Sequence, residues 1–270
     1  MLGIFTIAAV VGVLGLGAGA AMADEGAPSA CAVQYQAERA QEHKDGPRIE
    51  AILAETNMRG FPALYARLEE LKVLFAHAPA HPVVECDGVR HVRSSGSPSA
   101  VLLMLTAHLP QTKDAPRVMV EKPSPYALAA LLIGSAAVER GDWAGADGVM
   151  ARGLEFDPGN VQMVGEEALV LSHLNRPADA VALCDNAVGR DPQMDAANHA
   201  RLLRTKGFAL GDLDRFDDAI AAYQESLRFE PGHGGALNEI AYLTKRRAGA
   251  GKVKDTTFHS DQAKVLKPEN

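Results

Sequence analysis

Asp157-Pro158-Gly159-Asn160 closes one amphipathic stretch of this chain, Asp191-Pro192 closes the next 34 residues later, and Glu230-Pro231-Gly232 closes a third after a further 39. Each phrase follows a helix-like segment with an Ala-rich apolar stripe. A repeat of this length marks stacked units, none of which can bury its apolar face alone. Stacks of this kind usually bind other proteins and rarely catalyse.

Working outward, everything from Tyr126 on reads as helix–turn–helix. Residues 126–140 and 143–156 form one pair, 161–174 and 177–190 a second, and 196–210 and 214–229 a third. A last helix over 235–247 covers the open end. Small residues stand where the helices of a pair cross, and larger ones fill the gap to the next pair. In the first pair Gly134 and Ala146 cross, Gly141 makes the turn and Pro158 ends the second helix. In the second, Ala168, Ala180 and Ala187 take the crossing, with Asn175 in the turn and Pro192 at the end. The third has Gly207, Leu210, Ala219, Tyr223 and Pro231, entered through Asp214-Arg215-Phe216-Asp217-Asp218-Ala219-Ile220.

In this pattern residues 126–247 resemble the tetratricopeptide repeat. The first two pairs lack the usual large aromatic near the start of the first helix. Extra residues at Asp195–His199 lengthen the first helix of the third pair. The expected fold class is mostly α: a right-handed helical solenoid of three pairs plus an end helix, preceded by a small mixed unit with a β-hairpin.

The resemblance implies peptide or protein binding on the concave face made by the first helix of each pair. Projected onto this sequence, that face takes Leu128, Leu131, Ser135 and Val138 from the first pair and Gln162, Leu169, Ser172 and His173 from the second. The third contributes Arg201, Arg204 and Phe208, and the end helix Asn238, Tyr242 and Lys245. The groove so drawn is apolar at one end and basic at the other. It suits an extended peptide with an acidic or free-carboxylate end, because guanidinium groups bind carboxylates through charge-assisted hydrogen bonds. Arg201, Arg204 and Lys245 also fit a solvated helix face. A second arrangement has the N-terminal unit filling the groove as a cap.

That unit spans residues 24–122. A helix over 31–43 is expected to stop at Asp45-Gly46-Pro47, and a second to run over 48–55. A third begins near Pro62 with Leu64, Leu68, Leu71, Leu74 and Phe75 at helical spacing, and ends by Pro79 and Pro82. Val83–Cys86, Asp87-Gly88 and Val89–Val92 read as a hairpin with a type I′ turn. Residues 100–109 read as helix and Val118-Met119-Val120 as a short strand, before a boundary at Lys122-Pro123-Ser124-Pro125. Residues 248–270 lack periodicity and are expected to be a disordered tail.

Residues 1–23 carry no charged side chain, and Ala21-Met22-Ala23 fits a small-x-small cleavage site. The segment is expected to be a signal peptide, or else an uncleaved anchor; either places the body in the periplasm, in the cell envelope or outside the cell. Cys31 and Cys86 would then form a disulfide in an oxidising compartment, and Cys184 reads as a core residue.

The bulk numbers narrow the partners. With 270 residues, 47% hydrophobic and 23% charged, the chain is ordinary globular material. A net charge of −7 gives no overall pull toward nucleic acid or anionic lipid. Aromatic residues make up only 5%, which suits close-packed helices.

Phosphate loops, dinucleotide fingerprints, nucleophile elbows and zinc motifs are absent from the sequence. His77 and His81, with Cys86 and His91, make a metal site conceivable, but Pro79 prevents one helical face from presenting both His residues. Glu166-Glu167 and Asp217-Asp218 read as solvated or dipole-complementing carboxylates. Lys245-Arg246-Arg247, with Lys252 and Lys254, reads as a helix end whose charges complement the dipole, or as a patch for an anionic surface.

The function expected is a non-enzymatic scaffold or adaptor for a protein or peptide, with no cofactor, metal, nucleic acid or small-molecule substrate. Membrane contact would come only through an uncleaved N-terminus. One alternative is an enzyme or metal-binding module in residues 31–120 with the repeats as a docking arm. Another is a structural subunit of an envelope assembly.

Overall fold

The structure, a computed structural model, describes residues 27–93, 117–191 and 193–249. The signal segment, the expected helix over 100–109, Pro192 and the tail from residue 250 lie outside the described residues.

The first helix corrects the sequence-based expectation. It runs unbroken as α1, Ala30–Arg59, with Pro47 in its interior. Ser29 caps it, its Oγ accepting from the Ala32 N–H at 3.1 Å. An interior proline forfeits one helical hydrogen bond and crowds the preceding turn. Here distant contacts hold the two residues just before the defect. Asp45 is 1% exposed; it accepts from the Tyr126 hydroxyl at 2.8 Å and pairs with His77 Nδ1 at 2.9 Å. Gly46 is buried against the Pro125 ring.

Burial pushes the Asp45 carboxyl up, but the hydrogen bonds from His77, Tyr126 and Gln41 outweigh it and leave the group below its ordinary value. A depressed carboxyl stabilises the fold above its unfolded-state pKa, and that contribution is lost as pH falls through the folded value. Asp45→Asn is therefore expected to lower the melting temperature at about pH 7 and to matter progressively less toward about pH 2. An equal drop at both ends of a thermal melting series would show that ionisation of Asp45 is not what stabilises α1.

Helix α2, Phe61–Phe75, turns back from α1 through Gly60, whose φ of 71° suits glycine. Pro62 sits in its first turn, and Leu64, Leu68, Leu71 and Leu74 form its buried stripe. The hairpin follows as expected. Strands β1, Val84–Cys86, and β2, Val89–Arg93, pair antiparallel across Asp87 and Gly88, with φ of 50° and 71°. Strand β3, Arg117–Glu121, adds to β2 in parallel, giving the order β1-β2-β3.

The sheet is fastened to the N-terminal half of α1. Cys31 and Cys86 stand at disulfide-bonding distance, with Cα atoms 5.8 Å apart. The Tyr35 ring lies 4.1 Å from that of His91, and its hydroxyl donates to Glu121 at 2.7 Å. Arg39 pairs with Glu121 at 2.9 Å, and Arg93 with the buried Glu42 at the same distance.

The repeats then follow as three pairs and an end helix: α3, Pro125–Glu139, with α4, Trp143–Phe156; α5, Val161–His173, with α6, Pro177–Arg190; α7, Ala196–Asp212, with α8, Phe216–Phe229; and α9, Gly234–Arg247. The turn within each pair repeats one device. Gly141, Asn175 and Asp214 take φ of 72°, 61° and 55°. The next residue's N–H closes each turn, Asp142 on the Ala137 carbonyl at 2.9 Å, Arg176 on Leu171 at 2.8 Å and Arg215 on Leu210 at 3.0 Å. This left-handed cap satisfies carbonyls that a helix end leaves free. Helix α7 has 17 residues against 13 in α5, where the sequence carries its extra segment.

The crossings are as close as the small residues imply. A Cβ on Gly207 would lie 2.8 Å from the Tyr223 ring, and one on Gly134 2.5 Å from Met150. Ala146, Ala168, Ala180 and Ala219 are fully buried at the corresponding positions. The core does not stop at residue 122. Ile49, Ile52, Leu64 and Leu71 share one cluster with Tyr126, Ala130, Phe156, Met163 and Val170, so α1 and α2 stack on α3 as a preceding pair would.

Candidate functional site

The projected binding residues fall into three environments. At the α3 end the groove is closed. Helix α3 is buried nearly all round, because α1 and α2 cover the side that an open stack would expose. Leu131, 8% exposed, belongs to the core and is withdrawn from any partner, which corrects its projected role. Leu128 and Val138 pack against the same cluster, and Ser135 is half-buried. Arg140, at the end of α3, lays its guanidinium over the Tyr65 ring of α2 at 4.1 Å.

In the middle the structure brings three projected residues together. Ser172 and His173 at the end of α5 and Phe208 of α7 line a cavity of about 300 Å³ with Asn175, Pro177 and Asp212. The Ser172 Oγ is buried without a hydrogen-bond partner. His173 stacks on the Trp143 indole, centroids 3.8 Å apart and planes within 6°, which fixes the imidazole at the rim. Gln162 and Leu169 are half-buried elsewhere along α5.

At the basic end the two arginines already have partners. Arg204 is ion-paired with Glu230, and Arg201 lies 4.0 Å from Glu166. Burial pushes the Glu166 carboxyl up and Arg201 offsets this only partly, so the looser pair leaves Glu166 incompletely compensated. On α9 Asn238 and Lys245 are exposed, and the Tyr242 hydroxyl accepts from Arg246 at 3.1 Å. Arg246 also reaches Asp214 at 3.0 Å and Arg247 pairs with Asp217, so these two arginines clamp the end helix to the preceding pair.

Two features escaped the sequence reading. Glu166 and Glu167 are not solvated carboxylates: Glu167 is 3% exposed, and Glu166 lies in the α5–α7 contact with Arg201. The Trp143–His173 stack joins the start of one second helix to the end of the next first helix. Helical periodicity places each of these residues on its own helix but carries no signal for the pairing.

Three of the candidate metal-binding residues of the N-terminal unit have separate neighbours. His77 is taken by Asp45 and His91 by Glu121 at 3.2 Å, and Cys86 stands at disulfide-bonding distance from Cys31. Among the described residues no group of three His, Cys, Asp or Glu side chains is placed to hold a metal ion. No described helix is long and apolar enough to cross a membrane.

No family model matches the sequence, and no curated protein sequence matches it. Several solved structures are similar. MamA 41-end from Desulfovibrio magneticus RS-1 is 15% identical, covering 76% of this chain and 86% of that one at a TM-score of 0.49. The Sgt2 TPR domain from Aspergillus fumigatus is 17% identical, over 53% and 95%, at 0.42. The second TPR domain of human RPAP3, in complex with the HSP70 peptide SGPTIEEVD, is 20% identical, over 41% and 88%, at 0.37.

The stack has the tetratricopeptide fold. What makes it so is internal to the chain: the repeated left-handed turn, and the small residue of a first helix set against a large one of the second, as Gly134 is against Met150 and Gly207 against Tyr223.

Proposed function

We propose that this chain is a non-catalytic scaffold that binds an extended segment of a partner protein along the face of its first helices, in the periplasm or cell envelope. The observation that carries this reading is the cavity between α5 and α7, lined by Ser172, His173 and Phe208. It offers a buried hydroxyl without a partner, an apolar wall and a fixed imidazole, which suits one side chain or carbonyl of an extended peptide. An acidic or C-terminal carboxylate end is placed beside Arg201. That cation can exchange the distant Glu166 for a ligand carboxylate, whereas Arg204 is held by Glu230. The export of the chain rests on its uncharged first 23 residues.

The test is a photo-crosslinking pull-down from the native envelope fraction with benzoylphenylalanine at Phe208, in wild type and in Arg201→Glu. One protein partner crosslinked at Phe208 and lost in Arg201→Glu is the expected result. The same partners with both baits would remove Arg201 from the interface. Absence of crosslinks at Phe208 beside crosslinks elsewhere would sink the first-helix face as the binding surface, and absence of the chain from the envelope and periplasm would sink the location.

A further inference from the structure

A groove of about 740 Å³ lies on the side of the stack formed by the second helices. Its walls are α4 and α6, its floor is Glu167 and Leu171 of α5, and Pro82 of the N-terminal unit stands at its edge. The groove follows from the stacking, because α5 packs between α4 and α6 and holds them apart.

The floor is chemically incomplete. Glu167 is almost wholly buried, yet its Oε2 has no hydrogen-bond partner. Burial, then the hydrogen bond and charge of Asp147, push its carboxyl up to about 8, and Arg176 offsets this only in part. Arg176 is shared, reaching Asp147 at 3.2 Å and Asp179 at 2.8 Å. The charged groups acting on Glu167 are thus Asp147 from α4 and Arg176 at the N-cap of α6; Asp179 lines the same groove and pairs with Arg176, and Arg201 of α7 serves the neighbouring Glu166. Four carboxyl groups line the groove, Asp147, Glu155, Glu167 and Asp179, against the guanidiniums of Arg176 and Arg190. A buried carboxyl beside a second carboxyl ionises less readily, and a further cation at the pair would favour its charged form.

We propose that this groove binds an extended basic segment of a partner protein, with one lysine or arginine head between Asp147 and Glu167 and its aliphatic stem along Leu154, Leu171 and Leu183. The apolar walls favour a stem of that kind, since long cationic side chains bury their methylenes along apolar surface and leave the charged head free for a polar partner. Entry of the cation lets Glu167 ionise, so binding releases a proton and strengthens as pH rises.

The full chain is titrated, by fluorescence anisotropy, with a labelled peptide of alternating arginine and alanine and with its glutamine counterpart. The arginine peptide is expected to bind about ten-fold tighter at about pH 9 than at about pH 6. Glu167→Gln, nearly isosteric, should abolish that pH dependence, and the exposed rim variant Asp179→Asn should weaken binding with the fold intact by circular dichroism. Phe208→Ala, on the other face, should change nothing, which separates this proposal from the preceding one. Equal affinity for the two peptides, an unaltered pH profile in Glu167→Gln, or loss of binding in Phe208→Ala would each overturn the assignment.

Discussion

Gly153→Leu is expected to lower the unfolding free energy by about 3 kcal/mol, through overpacking where α3, α4 and α5 meet. A Cβ on Gly153 would lie 2.5 Å from the Cβ of Ala130 and 2.6 Å from the sulfur of Met163. Methionine can swing aside, but the alanine methyl is fixed to the α3 backbone, so the helices themselves must part. Separation there would loosen the cluster that also carries Tyr126, Phe156 and Val170. The control lies in the same helix. Gly148 is exposed and a Cβ on it would meet nothing within 4 Å. Gly148→Ala should therefore stabilise by about 0.5–1 kcal/mol, the ordinary helical gain from removing a flexible residue. Urea denaturation of both variants decides the matter. Similar small effects from the two would mean that α3 and α4 do not cross as closely as this.

A disulfide between Cys31 and Cys86, which stand at bonding distance, is expected to contribute about 4 kcal/mol on the chain-entropy account, for a sequence separation of 55 residues. Its loss should appear in the stability of the sheet and the N-terminal half of α1. The ion pairs of Arg39 and Arg93 and the Tyr35–His91 contact remain to hold the sheet in place, so Cys31→Ser should loosen the region and not release it. Hydrogen exchange in β1 and β2 should accelerate while α7 to α9 stay protected. Thiol titration of the oxidised protein after unfolding should find one group, Cys184, which is buried in the native state. Three titrating thiols would dispose of the link altogether.

Most helix bounds were legible because they follow from local chemistry. Gly141 and Asn175 mark turns that need a left-handed residue, and the small residues at 134, 168 and 207 mark crossings. The candidate site was legible only as a face. Periodicity placed Ser172, His173 and Phe208 on first helices, and the structure joins them around one cavity. It could not show that Leu131 is covered by α2-side packing or that Arg201 and Arg204 already face Glu166 and Glu230. Those partners lie 35 and 26 residues away in sequence, outside α7, and several carboxylates were available to either cation.

The sequence alone determined the period, the pairing of helices and the hairpin, since each depends on φ preferences and side-chain size within one unit or between adjacent units. Only the tertiary structure decided that α1 continues through Pro47. The carboxyl that steadies it takes its partners from Tyr126 and His77, 81 and 32 residues away. Only the tertiary structure, likewise, decided which carboxylates are desolvated. Burial is a property of the packed helices around Glu167, and the same residue type on the same helical face is solvated until a neighbouring pair closes over it.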